Sequence, residues 1–153
     1  MNTNSEGPIL LVEDNEDDVF FMRRAFQAAD VANPLHVVMD GNQAIHYLLG
    51  MGKYADRHTY PWPLLVVLDL KMPIRDGHEL LLWMRLRKQF RHLVVIVLTT
   101  SSEQRDVLRA YRLGANSYLV KPSSPPELTE QIRALKRYWL GQNLFPRVEL
   151  NGE

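Results

Sequence analysis

The chain contains no cysteine, so neither a disulfide framework nor thiol chemistry underlies its fold or function, and a reducing, cytoplasmic setting is the expectation. Charge of one sign is missing as well: 18 Lys and Arg stand against 18 Asp and Glu, which leaves no global field to attract nucleic acid or an anionic membrane. No apolar run approaches the roughly 20 residues that span a bilayer. The first eight residues are polar and lack the basic and apolar regions of a secretory signal. What remains is a chain of 153 residues, a natural size for one domain with one core.

Its apolar residues are gathered in short blocks. Residues 9–12, 35–39, 64–68, 93–98 and 116–120 read as strands, and the blocks at 9–12, 64–68 and 93–98 show no polar alternation, as strands covered on both faces should. Between them the apolar period lengthens to that of a helix. Asn15 suits an N-cap for a helix carrying Val19, Phe20, Met22, Ala25, Phe26 and Ala29. Asp40 with Gln43 and Asp76 with Glu79 have capping-box spacing for helices over 42–49 and 77–88. Ser101 and Gln104 are placed to open a helix that stops at Gly114. Ser124, Pro125 and Glu127 open the last one, through Leu128, Ile132, Leu135 and Tyr138. Residues 50–63 carry breakers at both ends and no period, so they are expected to form a surface loop. Five alternations of strand and helix predict an α/β fold, a doubly wound five-stranded parallel sheet flanked by helices, over residues 8–140. Residues 1–7 are expected to be a flexible N-terminus and 141–153 a C-terminal tail or dimerisation arm.

Four of the strands end in charged or hydroxyl residues: Glu13-Asp14, Asp69, Thr99 and Lys121. Parallel strands share one carboxyl edge, so these side chains should meet on a single rim. Taken alone, Asp69 reads equally as a strand-end residue capping its loop, and Glu16, Asp17 and Asp18 read as the solvated start of a helix, favoured by its macrodipole. His36, His46, His58, His78 and His92 show no metal-type clustering. Three crowded carboxylates with room for water suit a hard divalent cation such as Mg²⁺. With a lysine and a hydroxyl beside them, they are the groups that hold phosphoryl oxygens in line with an attacking oxygen, so the chemistry expected is acyl-phosphate formation on a nucleophilic aspartate.

Glu13-Asp14, Asp69 followed by Met72-Pro73 and Asp76-Gly77, Thr99, and Lys121-Pro122 together resemble the signature of the response-regulator receiver domain, the CheY-like phosphoacceptor of two-component signalling. The resemblance covers about residues 8–137. It implies that Asp69 takes a phosphoryl group from a sensor histidine kinase. It implies further that Asp14, Asp69 and the Lys71 backbone carbonyl ligate Mg²⁺, with Glu13 acting mainly through a metal-bound water. Lys121 would pair with the carboxylate or phosphoryl group, the Lys121-Pro122 bond would be cis, and Thr99 with Tyr118 would form the switch. Lys71 and Ser101, two positions beyond the nucleophile and the switch residue, would influence the phosphoryl lifetime. Glu13 stands where the family more often has aspartate.

The long 50–63 loop, the Leu98 to Ser102 run and the Tyr138-Trp139 ending are similar to the small single-domain regulators that serve phytochrome-type kinases, bacteriophytochromes among them. That likeness implies a homodimer formed through the C-terminal end. Trp139, Leu140, Leu144, Phe145 and Val148 are more apolar than a free tail would carry. They could fold back on their own domain or cross to a partner, and the expectation is exchange. Only residues 141–153 follow the last helix, too few for a helix-turn-helix unit, so no direct nucleic-acid contact is expected. A hydrolase with an aspartyl nucleophile would want an acid where Lys71 stands. A flavodoxin-like carrier would want a phosphate loop after Val12, where carboxylates stand instead.

Overall fold

The computed structural model describes residues 5–146. Strands β1 (Ile9–Val12), β2 (Leu35–Val38), β3 (Leu65–Leu68), β4 (Val94–Thr99) and β5 (Ser117–Val120) form one parallel sheet in the order β2-β1-β3-β4-β5. Helices α1 (Glu16–Ala28), α2 (Gly41–Leu49), α3 (Gly77–Arg85), α4 (Gln104–Arg112) and α5 (Pro125–Leu135) alternate with them. Successive side chains of a strand point to opposite faces, and the core divides accordingly. Leu10, Val12, Val66, Leu68, Val95 and Val97 face one way, against Ala44, Tyr47 and Leu48 of α2 and Leu80, Leu81 and Met84 of α3. Ile9, Leu11, Leu65, Val67, Ile96 and Leu98 face the other, against Met22, Ala25 and Phe26 of α1 and Leu128, Ile132 and Leu135 of α5. Both faces are covered, which is why the strands lack a polar period.

Three helices begin on the side chains that the sequence indicates: Asn15 accepts from Asp18 N–H, Asp40 from Gln43 N–H and Asp76 from Glu79 N–H. Ser124 does the same for Glu127 N–H at α5. Helix α4 departs from expectation. Its N-cap is Glu103, which makes no side-chain capping bond and pairs with Arg105 at 2.7 Å, while the Ser101 hydroxyl donates to Asp106 and accepts Glu103 N–H. Helix α3 stops at Arg85, short of residue 88; the chain then turns through a 3₁₀ segment, Lys88–Phe90, that drives the Phe90 ring into the core. The close approach of α3 to the end of β3 requires Gly77: a Cβ there would lie 2.7 Å from Leu70 Cα and closer still to the Asp69 carbonyl oxygen.

The 50–63 segment is more than a surface loop. It folds Tyr54, Tyr60 and Trp62 onto the core beside Tyr47, and Tyr47 Oη donates to the Pro61 carbonyl at 2.8 Å. Arg57 closes the end of α2, donating to the Tyr47 and Leu48 carbonyls at 2.7 Å each. The Lys121-Pro122 bond, expected cis, is trans, since no described peptide bond is cis. Lys121 reaches its carboxylates with the bond trans, so nothing offsets the roughly 0.5–1 kcal/mol that favours trans before proline.

The C-terminal end also differs from the exchange that was expected. Helix α5 continues as a wider-wound segment, Lys136–Gln142, which lays Trp139 and Leu140 against the α1/α5 core. Phe145 is 5% exposed in that same core, so this part of the tail folds back on its own domain. An aromatic ring has apolar contacts available there without a partner, and the chain reaches them within three residues of Gln142. Tyr138, expected to face the sheet, is exposed, as is Leu144. Val148 lies outside the described residues.

Candidate functional site

Strand register places the rim. Val12 is paired with Leu68, Leu68 with Val97, and Thr99 with Val120, so the residues that follow these strands emerge side by side. Asp69 N–H donates to the Val12 carbonyl at 3.1 Å and Lys121 N–H to the Thr99 carbonyl at 2.7 Å, which carries the pairing one residue past the sheet on both sides. Asp69 is thereby fixed at the centre of the carboxyl edge. Its Oδ1 accepts from Thr99 Oγ1 at 2.8 Å and from Lys71 N–H at 3.2 Å. Its Oδ2 accepts from Lys121 Nζ at 3.1 Å.

Lys121 holds more than Asp69. Its ammonium also donates to Glu13 Oε2 at 2.6 Å and to Asp18 Oδ2 at 3.1 Å, so one cation joins three carboxylates. Asp18 was read as an ordinary solvated helix-start residue. It stands three residues after its N-cap Asn15, on a helix that begins directly behind the rim, and that position was the signal available in the sequence.

Glu13, Asp14 and Asp69 each offer an oxygen, all within 4.8 Å of one another. Glu13 is 1% exposed and Asp69 7%, whereas Asp14 is only half-buried. The crowding shows in the acidities. Burial pushes the Glu13 carboxyl up to about 7, against the pull of Lys121 and with the help of neighbouring Asp69. Burial works to raise Asp69 too, but hydrogen bonding with Glu13, the Lys121 charge, the Thr99 hydroxyl and Lys71 N–H hold it below the usual carboxylate range. For Lys121, burial is outweighed by Glu13 and Asp69, which keep the ammonium above its ordinary value. The donor set therefore fits a hard divalent cation: it is all oxygen, in excess of negative charge, and open to solvent at Asp14.

Tyr118 is near the rim without touching Asp69. Its hydroxyl donates to the Ser101 carbonyl at 2.8 Å, two residues beyond Thr99. Buried His78 of α3 meets the Asp106 carbonyl across 3.3 Å. Neither His78 nor Asp106 stood out in the sequence, where one belonged to a scattered histidine set and the other to an ordinary helical turn.

A carboxylate at the centre of a sheet edge, joined by a bridging lysine, a hydroxyl and three further acids, is the arrangement of a receiver domain. The chain belongs to the response regulator receiver domain family, whose family model matches residues 9–133. Among its relatives are the probable methanogenesis regulatory protein FilR2 of Methanothrix harundinacea, 38% identical over 90% of this chain and 86% of FilR2, and response regulator Rcp1 of Synechocystis, 32% identical over 95% and 99%. A manganese-bound crystal form of Rcp1 superposes with a TM-score of 0.81, covering 93% of this chain and 99% of that one at 30% identity. Response regulator RPA3017, described in red light signalling of R. palustris, superposes at 0.88 over 92% and 99%, with 36% identity.

Proposed function

We propose that this protein is a phosphorylatable signalling switch in which Asp69 receives a phosphoryl group from the phosphohistidine of a sensor histidine kinase. The observation that carries the reading is the division of labour around Asp69: Lys121 on one carboxylate oxygen, Thr99 on the other, and half-open Asp14 alongside. An Asp69 oxygen forms the new bond to phosphorus as the bond from phosphorus to the histidine nitrogen breaks, and the freed imidazole takes up a proton. The negative charge that gathers on the phosphoryl oxygens is met by Lys121 Nζ and the Thr99 hydroxyl. Asp14, Asp69 and the Lys71 carbonyl would hold Mg²⁺, with Glu13 behind them, and the bound ion would neutralise carboxylate and phosphoryl charge together. The same groups support self-phosphorylation from a small phosphodonor and self-dephosphorylation.

Thr99 and Tyr118 form the proposed switch. A phosphoryl oxygen offers Thr99 a new acceptor, and a shift of its strand end opens space beside Tyr118. The likeness to RPA3017, described in red light signalling, and to RcpA, described as a cyanobacterial phytochrome response regulator, supports a phytochrome-type kinase as phosphodonor, and the cytoplasm is the place of action we propose. Among the described residues no helix is long and apolar enough to cross a membrane. A homodimer through the C-terminal end is part of the proposal, with exposed Tyr138 and Leu144 as its contact surface.

Incubation with acetyl phosphate, followed by intact-mass measurement, tests the reading. One phosphoryl group should add in the presence of Mg²⁺ and none in Asp69→Asn, with labelling sharply weakened in Asp14→Ala. Full labelling of Asp69→Asn would overturn it.

A further inference from the structure

Which donors can bring phosphorus to Asp69 depends on the charge they meet there. One ammonium, that of Lys121, serves three carboxylates, and the three differ in access. Glu13 and Asp69 are buried, whereas the Asp18 side chain keeps 40% of its surface in solvent. Its Oδ2 lies 3.1 Å from Lys121 Nζ, and Nζ lies 3.1 Å from Asp69 Oδ2, so the Asp18 carboxylate is no further from the acceptor oxygen than two such contacts. Asp18 also lines a cavity of about 230 Å³ with Lys121, Thr100, Phe21, Met22 and Leu128, so Lys121 is common to that open space and to the acceptor. A donor whose phosphorus reaches Asp69 therefore stands in the field of an accessible carboxylate, one whose ion pair is with a lysine already shared by two other acids.

We propose that Asp18 is a specificity-determining residue, one that turns the acceptor away from acyl phosphates and toward N-phosphoryl donors such as phosphohistidine. The proposal rests on Asp69 being the phosphoacceptor. With either donor, an Asp69 oxygen bonds to phosphorus as the bond to the leaving group breaks. Acetyl phosphate arrives as a dianion, and its phosphorus–oxygen bond breaks with the electron pair departing on acetate. Phosphoramidate arrives with its nitrogen protonated and a single net negative charge, and its phosphorus–nitrogen bond breaks to release neutral ammonia. A protonated phosphoimidazole behaves in the same way and releases neutral imidazole. Asp18 acts on this difference twice. Its charge repels the dianion more than the monoanion, and it draws on the ammonium that meets the phosphoryl charge.

The test compares second-order rate constants for phosphorylation of the full chain by acetyl phosphate and by phosphoramidate, at saturating Mg²⁺, from intact mass against time. In Asp18→Ala and Asp18→Asn the ratio of the phosphoramidate constant to the acetyl phosphate constant should fall about fivefold, the scale of one unit of charge acting over this separation at a protein surface. Asp18→Glu keeps the charge and should keep the ratio. Asp17→Ala removes an exposed acid from the same turn and should move the ratio less than about twofold. An unchanged ratio in Asp18→Ala overturns the proposal, even where both constants rise or fall together, since a merely structural role acts on both donors alike. So does an equal shift in Asp17→Ala, which would make the effect one of net charge. If Asp18→Ala does not fold, an unchanged ratio in the isosteric Asp18→Asn refutes the proposal by itself. Wild type that takes no label from either donor, or Asp69→Asn that takes full label, overturns the phosphoacceptor reading instead, so the two failures are distinct.

Discussion

Trp62 and Phe90 lie face to face, ring centroids 5.1 Å apart and planes 20° from parallel, and join the segment before β3 to the segment before β4. The stack extends in both directions. Trp83 covers the other face of Phe90 at 5.3 Å, Arg87 lies 4.0 Å over Trp83, and the Arg57 guanidinium is 6.0 Å from Trp62. Phe90 is its centre, 1% exposed. Phe90→Ala should therefore cost about 4 kcal/mol, the middle of the range for emptying a buried aromatic site. Urea unfolding checks this, and a loss under about 1 kcal/mol, the scale of an exposed substitution, would show that the column contributes little.

Lys121 offers a test of how the acidic rim is held together. Lys121→Met should destabilise the protein by about 3 kcal/mol, because it leaves Glu13 buried without its cation. Adding Glu13→Gln should restore a large part of that loss, since the uncompensated charge is then gone. Thermal or urea unfolding of both single variants and the double variant closes the cycle; strict additivity would mean that the pair is not coupled.

His36 predicts a pH dependence of stability. Burial holds its imidazole below the ordinary 6.5, Arg23 acts in the same direction, and the Tyr47 and Tyr60 rings lie 5.9 and 5.7 Å away. A depressed value means that the unfolded chain takes up the proton first. Stability owed to this residue is complete above pH 6.5 and is lost as pH falls through the lower folded value. Glu13, with its value raised to about 7, works in the opposite sense, its contribution fading as pH rises through 7. The difference between wild type and His36→Phe isolates the histidine: unfolding free energies from pH 8 to 5 should converge or cross as pH falls, and parallel curves would contradict the assignment.

The C-terminal end separates folding from assembly. Phe145→Ala should lower stability by about 3 kcal/mol, since its ring fills the α1/α5 core of its own chain. It should leave the oligomeric state unchanged. Tyr138→Glu combined with Leu144→Glu should do the reverse, giving a monomer by light scattering with little loss of stability, because both side chains are exposed. A Phe145→Ala protein that is folded yet monomeric would restore the exchanged arm.

The rim was readable in the sequence because parallel strands leave little freedom: a polar residue that ends an apolar block must appear at the shared edge, as Asp69 and Lys121 do. The four side-chain caps were readable for a similar reason, being bonds across three residues. Asp18 was not, since its partner Lys121 stands 103 residues away and an acidic first turn needs no partner to explain it. The fold of residues 50–63 was hidden because Tyr54, Tyr60 and Trp62 follow no period; their order comes from stacking and from Arg57 binding carbonyls. Ser101 had the right type for a helix cap, but the helix starts at Gln104 with Glu103 as its N-cap, and the Ser101 hydroxyl serves Glu103 N–H and Asp106 instead.

The close seating of Gly77 on the end of β3 gives the rim a stiff side and a compliant one. Gly77 N–H is bonded to the Leu70 carbonyl at 3.0 Å, and the space beside it admits no Cβ, so the strand end carrying Asp69 cannot recoil toward α3. Thr99, by contrast, is followed by exposed Thr100, with Ser101 as the first side-chain anchor beyond it. Under the proposed function, strain introduced at Asp69 would be relieved toward α4 and β5, and the face those elements present is where a partner would sense whether the aspartate is free or carries a phosphoryl group.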